Sequence, residues 1–155
     1  MKRRIFLKGS LAASTLAVAA GAGMLTPKSV LAAAWPKAAF ESETEAEALQ
    51  AFFGTSDVEQ SDQVSIKAPL QAENGAVVPI KVMTSLTDVE GIAICAIKNP
   101  RPYTTSLRVS AGGGGLYSTR IKMGQTSPVH CYVKAGGKLY MASQEIKVTV
   151  GGCGG

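Results

Sequence analysis

The chain has 155 residues, 46% hydrophobic and 17% charged, which suits one domain with a packed core and excludes a disordered polar segment. Its formal net charge of +5 points at first towards nucleic acid. The first 34 residues, however, hold five of the 16 Lys and Arg (Lys2, Arg3, Arg4, Lys8, Lys28) and none of the 11 Asp and Glu, so the remainder carries 11 charges of each sign and nucleic-acid binding loses its support.

Residues 1–34 read as a targeting segment. A positive start leads into a mildly apolar stretch from Leu11 to Leu25, followed by small residues with A-x-A patterns at Ala32 to Ala34. Arg3-Arg4-Ile5-Phe6-Leu7-Lys8 fits the twin-arginine export pattern. The apolar part is short of the roughly 20 residues a membrane-spanning helix needs. The expectation is a periplasmic protein, exported by the twin-arginine pathway and free of the membrane once the signal is removed.

Next, Ser42 to Gly54 reads as one helix. Ser42 and Glu45 form a capping box, acidic residues fill the first turn and Gly54 ends it. Leu49, Phe52 and Phe53 give this helix an apolar face to dock on its own domain.

From Val64 the pattern becomes short strands. They are expected at Val64–Ala68, Val77–Thr84, Gly91–Lys98, Ser106–Ser110, Leu116–Met123, Pro128–Lys134 and Lys138–Val150. Strands at this spacing, without a second long helical pattern, predict a mainly β chain folded as an antiparallel sandwich. Asn74-Gly75 and Gly136-Gly137 read as hairpin turns, since both pairs tolerate positive φ. The Gly-rich run Gly112–Gly115 lacks the Lys-Ser/Thr and the helix of a phosphate loop, and reads as a flexible connection. In the last strand a mostly polar side alternates with a side that ends Ile146, Val148, Val150.

No catalytic site emerges. His130 is the one histidine, which leaves nothing for a triad or a multi-histidine metal site, and it reads as a partly packed surface residue. The acidic residues form no carboxylate pair, and neither a metal nor a cofactor is implied. The three cysteines are Cys95, Cys131 and Cys153. Cys95 and Cys131 sit in apolar strands, either as small buried hydrophobes or as a disulfide pair. Cys153 stands apart, between Gly151-Gly152 and Gly154-Gly155 at the end of the last strand. No cation near it in sequence lowers its pKa, so activation of the thiol falls to whatever site the tail enters. Glycines on both sides give the tail slimness and reach, at most roughly 10–11 Å for three residues beyond Val150. The pattern is that of a thiol on a swinging arm over residues 151–155, carried by a domain over residues 35–150.

These features together resemble the SoxY family, the sulfur-carrier subunits of the bacterial thiosulfate-oxidising Sox system. Besides the signal and the terminal GGCGG, the resemblance covers Lys67-Ala68-Pro69, the run Ala72 to Pro79, Lys98-Asn99-Pro100, Ser118 to Lys122, and Glu145 to Val150. It implies an immunoglobulin-like sandwich and no catalytic activity of the chain's own. Cys153 matches the carrier cysteine, to which thiosulfate is attached by a c-type haem partner, SoxXA; the hydrolase SoxB then removes sulfate and leaves a persulfide for further Sox enzymes. It also implies a heterodimer with SoxZ, and Gly151, Gly152, Gly154 and Gly155 match the arm. A disulfide between Cys95 and Cys131 would suit this role by leaving Cys153 free. The competing expectation, of another class, is a structural or binding module that forms a covalent homodimer through Cys153.

Overall fold

A computed structural model describes residues 35–110 and 112–149, and the chain divides after Trp35, so the fold is that of Pro36 onward. The targeting segment and the terminal arm expected from the sequence lie outside the described residues.

Two helices come first: α1 at Lys37–Glu41 and α2 at Glu45–Phe53. The helix expected from Ser42 thus starts three residues later, because α1 already occupies the preceding segment. Ser42 closes α1, its hydroxyl donating to the Ala38 carbonyl at 2.7 Å. The capping box is Thr44 with Glu47, the same S-or-T-x-x-E spacing met two residues along. Gly54 ends α2 as expected, in the left-handed region at φ 76°, with its N–H donating to Gln50 O. Two cations complete that end: Lys134 Nζ donates to Phe53 O at 3.1 Å, and Arg108 donates to Phe52 O at 3.2 Å. Both meet the negative pole of the helix and satisfy carbonyls that lack a partner within it.

The strands are β1 Val58–Gln60, β2 Val64–Lys67, β3 Gln71–Ala72, β4 Val78–Thr84, β5 Val89–Ala96, β6 Tyr103–Arg108, β7 Leu116–Ile121, β8 Ser127–Ala135 and β9 Lys138–Val148. They form two sheets, one ordered β1-β9-β8-β5-β6 with β3 also on β9, the other β2-β4-β7. The expected sandwich is observed, with every pairing antiparallel except those of β1 and β3 to β9. Gly136 and Gly137, at φ 56° and 78°, make the tight β8–β9 hairpin. Asn74-Gly75 does not make a hairpin, since β3 and β4 belong to different sheets. Asn74 instead accepts the Ala76 N–H on its own side chain at 2.9 Å, and the chain crosses from one sheet to the other.

The core between the sheets comprises Val78, Ile80 and Val82 of β4 facing Ile92 and Ile94 of β5, Val129, Cys131 and Val133 of β8, and Ile146 of β9. A second core lies on the far face of the larger sheet. There Leu49, Phe52 and Phe53 of α2 cover Ala93 and Cys95 of β5, Tyr103, Tyr132 and Leu139. Strand β5 is therefore buried on both faces, which is why Ile92 to Ala96 is a continuous apolar run and not an alternation.

Gly75 marks the closest approach at the end where β9 finishes. A Cβ there would lie 2.4 Å from Met123 O and 2.9 Å from Val148 Cγ1. Gly75→Ala is therefore expected to destabilise the fold by about 1–3 kcal/mol, read as a lower urea midpoint at unchanged slope. A midpoint equal to the wild type would show that this junction has room to spare.

Candidate functional site

The end of β9 is held from both sides. On one side Lys147 N donates to Leu70 O at 2.9 Å, and Thr149 N donates to Ala72 O at 3.1 Å. On the other, Val148 N donates to Thr126 Oγ1 at 3.0 Å. Val148 also packs on the inter-sheet core, while Lys147 and Thr149 face out. Thr149 is thus a fixed root for the tail, and Cys153 comes four residues later in the sequence. Cys153 and its glycines lie outside the described residues.

The other two cysteines are free thiols, not a disulfide. Cys131 pairs in register with Ile94, and Cys95 pairs with His130, so the two cysteines sit one residue out of step on neighbouring strands. Successive side chains on a strand point to opposite faces, which sends Cys131 into the inter-sheet core and Cys95 into the core beneath α2. The sheet itself stands between them, and a bridge of ordinary geometry has no path. Burial pushes the Cys131 thiol up to about 12, and burial pushes Cys95 further, helped by the nearby charge of Glu45. Neither forms a thiolate near neutral pH, so neither competes as a nucleophile.

His130 faces α2, as the strand alternation requires, and has a partner the sequence did not reveal. Its Nδ1–H donates to Glu45 Oε1 at 2.7 Å, and the Tyr132 hydroxyl donates to the same oxygen. The three residues lie 85 and 87 positions apart in the chain and are brought together only by the packing of α2 across β8. Burial alone would raise the Glu45 carboxyl, but the hydrogen bonds from His130 and Tyr132, with the His130 charge, hold it below its ordinary value. This cluster fastens the first turn of α2 to the sheet. Among the described residues no group of three or more His, Cys, Asp or Glu side chains is arranged to hold a metal ion.

A family model described as sulfur oxidation protein SoxY matches residues 49–153, a span that ends on the terminal cysteine. Among solved structures, the chain is similar to the sulfur carrier protein SoxY from Chlorobium limicola f thiosulfatophilum. The identity is 40%, the alignment covers 66% of this chain and 94% of that one, and the TM-score is 0.60. A chain from a structure of T cell activation by the bacterial superantigen toxic shock syndrome toxin-1 comes next at 10% identity, covering 56% of this chain and 99% of that one, with TM-score 0.41. The PmoD soluble domain from Methylocystis sp. ATCC 49242 (Rockwell) gives 10% identity, 56% and 90% coverage and TM-score 0.39. These last two are too distant to carry an argument. No curated protein sequence matches the chain.

Two outcomes are expected from this geometry. A maleimide applied to the native protein should leave Cys95 and Cys131 unlabelled by peptide mass, and both should label once denaturant is added; native labelling of either would contradict their burial. Glu45 titrates below its ordinary 4.5 in the folded state, so its contribution is complete above that pH and is lost as pH falls through the folded value. Glu45→Gln should therefore cost about 1–2 kcal/mol at neutral pH and flatten the acid limb of stability against pH. An acid limb unchanged in Glu45→Gln would assign it to other carboxylates.

Proposed function

The chain belongs to the SoxY family of sulfur oxidation proteins, and we propose on that premise that it is a covalent carrier whose attachment point is the thiol of Cys153. The observation that carries this reading is a chain hydrogen-bonded at Val148 and Thr149, at the end of β9, with a lone thiol among glycines four residues beyond Thr149. A carrier needs a fixed root, a slim tether and one reactive atom, and it does not need a pocket of its own.

In the proposed loading step the Cys153 thiol and thiosulfate join through a new S–S bond. One proton and two electrons leave, and the product is Cys153-S-S-SO3⁻. The electrons pass to a partner oxidant, in this family's scheme the c-type haem protein SoxXA. Water then cleaves the terminal S–S bond at a SoxB-type hydrolase, which releases sulfate and two protons and leaves the persulfide anion on the arm. This chain contributes the thiol and its delivery. The proposal includes a stable pairing with SoxZ and a periplasmic location reached through the twin-arginine signal in residues 1–34.

Buried, protonated Cys95 and Cys131 support the division of roles, because they keep the sulfur chemistry to one atom. Intact mass of the protein from thiosulfate-grown cells is expected to show a reducible adduct that maps to Cys153 and is absent in Cys153→Ser. A Cys153→Ser strain that still oxidises thiosulfate would overturn the carrier role. A protein recovered only as a Cys153-linked homodimer, with thiosulfate oxidation unaffected by its loss, would make the cysteine a structural cross-link instead.

A further inference from the structure

The helices cover the outer face of the larger sheet, while the outer face of the three-stranded sheet carries no covering element among the described residues. Its central rung is Lys67 of β2, Lys81 of β4 and Ser118 of β7, paired directly across the three strands. The three residues line one depression, walled by Pro69 and Pro79. We propose that this depression is a non-covalent site for a tetrahedral dianion, thiosulfate or sulfate, with Lys67 and Lys81 as its counter-charges and Ser118 as a hydroxyl donor. The site is separate from Cys153 and does not depend on the carrier reading.

Like charges directly opposite each other destabilise an antiparallel pair, whose facing Cβ atoms stand about 4.5–5.5 Å apart. Lys67 and Lys81 are placed in this way, and the third member of their rung is a serine, not an acid. Lys81 has little room to swing aside, since it is half-buried on the central strand with a neighbour on each side. None of the three side chains has a hydrogen bond or an ion pair among the described residues. A dianion between the two ammonium groups replaces one repulsion by two attractions, each a charge-assisted hydrogen bond of the stronger kind.

The acidic residues are all elsewhere. No residue of β2, β4 or β7 is acidic. Glu41, Glu43, Glu45 and Glu47 belong to the helical segment, which packs on the far side of the larger sheet. Glu59 and Glu90 pair with Lys138 and Lys134, and Asp57 precedes β1 at the edge of the larger sheet. Glu145 alternates with Ile146 of the inter-sheet core and so faces away as well. Asp62, Glu73 and Asp88 lie in connections beyond the strand ends, whereas Lys81 is the middle residue of β4, about 10 Å from either end. Arg120, one rung along on β7 and opposite Pro79, adds a third positive charge to the same face.

Two ammonium groups balance a dianion in full, whereas a chloride or a single carboxylate leaves one of them without a counter-charge. A tetrahedral anion also turns an oxygen towards each of the three donors, while carboxylate oxygens are confined to a plane. Thiosulfate and sulfate both meet these terms, and both enter the reaction proposed above. The donors recognise the charge and the tetrahedron, which the two anions share, so both are expected to bind alike.

The test titrates the isotope-labelled full chain carrying Cys153→Ser, which removes the arm's thiol, with sodium thiosulfate and with sodium sulfate. Ionic strength is held constant with sodium chloride. The amide resonances of Lys67, Lys81 and Ser118 should move along saturable curves, with midpoints on the order of millimolar for both anions, as a few exposed charge-assisted contacts supply. Lys67→Gln or Lys81→Gln should raise the midpoint at least about threefold, while Lys138→Gln, at the β8–β9 hairpin, should leave it within about twofold. Stability gives a second readout. Without the anion, Lys67→Gln should raise the urea midpoint by removing one of two opposed charges; added sulfate should raise the midpoint of the unsubstituted face more than that of the variant. Shifts that grow without saturation, that chloride alone reproduces, or that survive both lysine substitutions together overturn the site. Saturation by only one of the two anions overturns its assignment to the tetrahedron they share. Cys153 enters none of these outcomes, so the site and the carrier reading stand or fall separately.

Discussion

A strand presents its side chains alternately to two sides; in β5 both sides are dry, and in β8 one side is dry and the other is partly covered. The three-stranded sheet covers one face of these strands and α2 covers the other. That two-sided burial has several consequences. It calls for an apolar β5 without alternation, and it separates Cys95 from Cys131 by the thickness of the sheet. It also raises both thiols out of the reactive range. The protein therefore has cysteines in its interior that behave as small hydrophobes, and its thiol chemistry is left to the residue beyond the last strand.

The same arrangement makes β9 a stiff lever. Along its length it is paired to β8, and its other edge is covered near one end by β1 and near the other by β3. Covering that edge serves the fold, because an open edge is a template for unwanted pairing. Near the end of the strand Thr149 N still donates to Ala72 O. Several segments that carry the family resemblance converge on this spot. Gly75 packs against Val148, and Asn99 clamps the neighbouring turn.

Much of this was legible in the residues, for reasons that differ by element. Strands β4 and β9 declare themselves because one face is wetter than the other. The β8–β9 hairpin is written in two adjacent glycines. Strands β1 and β3 were not readable, since Val58–Gln60 is wholly exposed and Gln71–Ala72 is two residues long; both exist because β9 offers them an edge. Helix α1 displaced the expected start of α2, and the presence of two overlapping capping boxes, Ser42 with Glu45 and Thr44 with Glu47, explains why the cap was misplaced. The Cys95–Cys131 relation depends on register between two strands, which pattern alone does not supply. Glu45, His130 and Tyr132 meet only across the whole domain. Cys153 was legible because everything unusual about it is local.

The central claim is that one of three cysteines is the carrier and the folded body holds it out. Two strains test it most directly through thiosulfate oxidation. One expresses the chain with Cys95→Ala and Cys131→Ala, keeping Cys153 alone; the other keeps Cys95 and Cys131 and carries Cys153→Ser. The account predicts oxidation in the first strain, at whatever level of folded protein survives two core substitutions, and none in the second. Oxidation by the second strain, or its absence in the first despite folded protein, would contradict it.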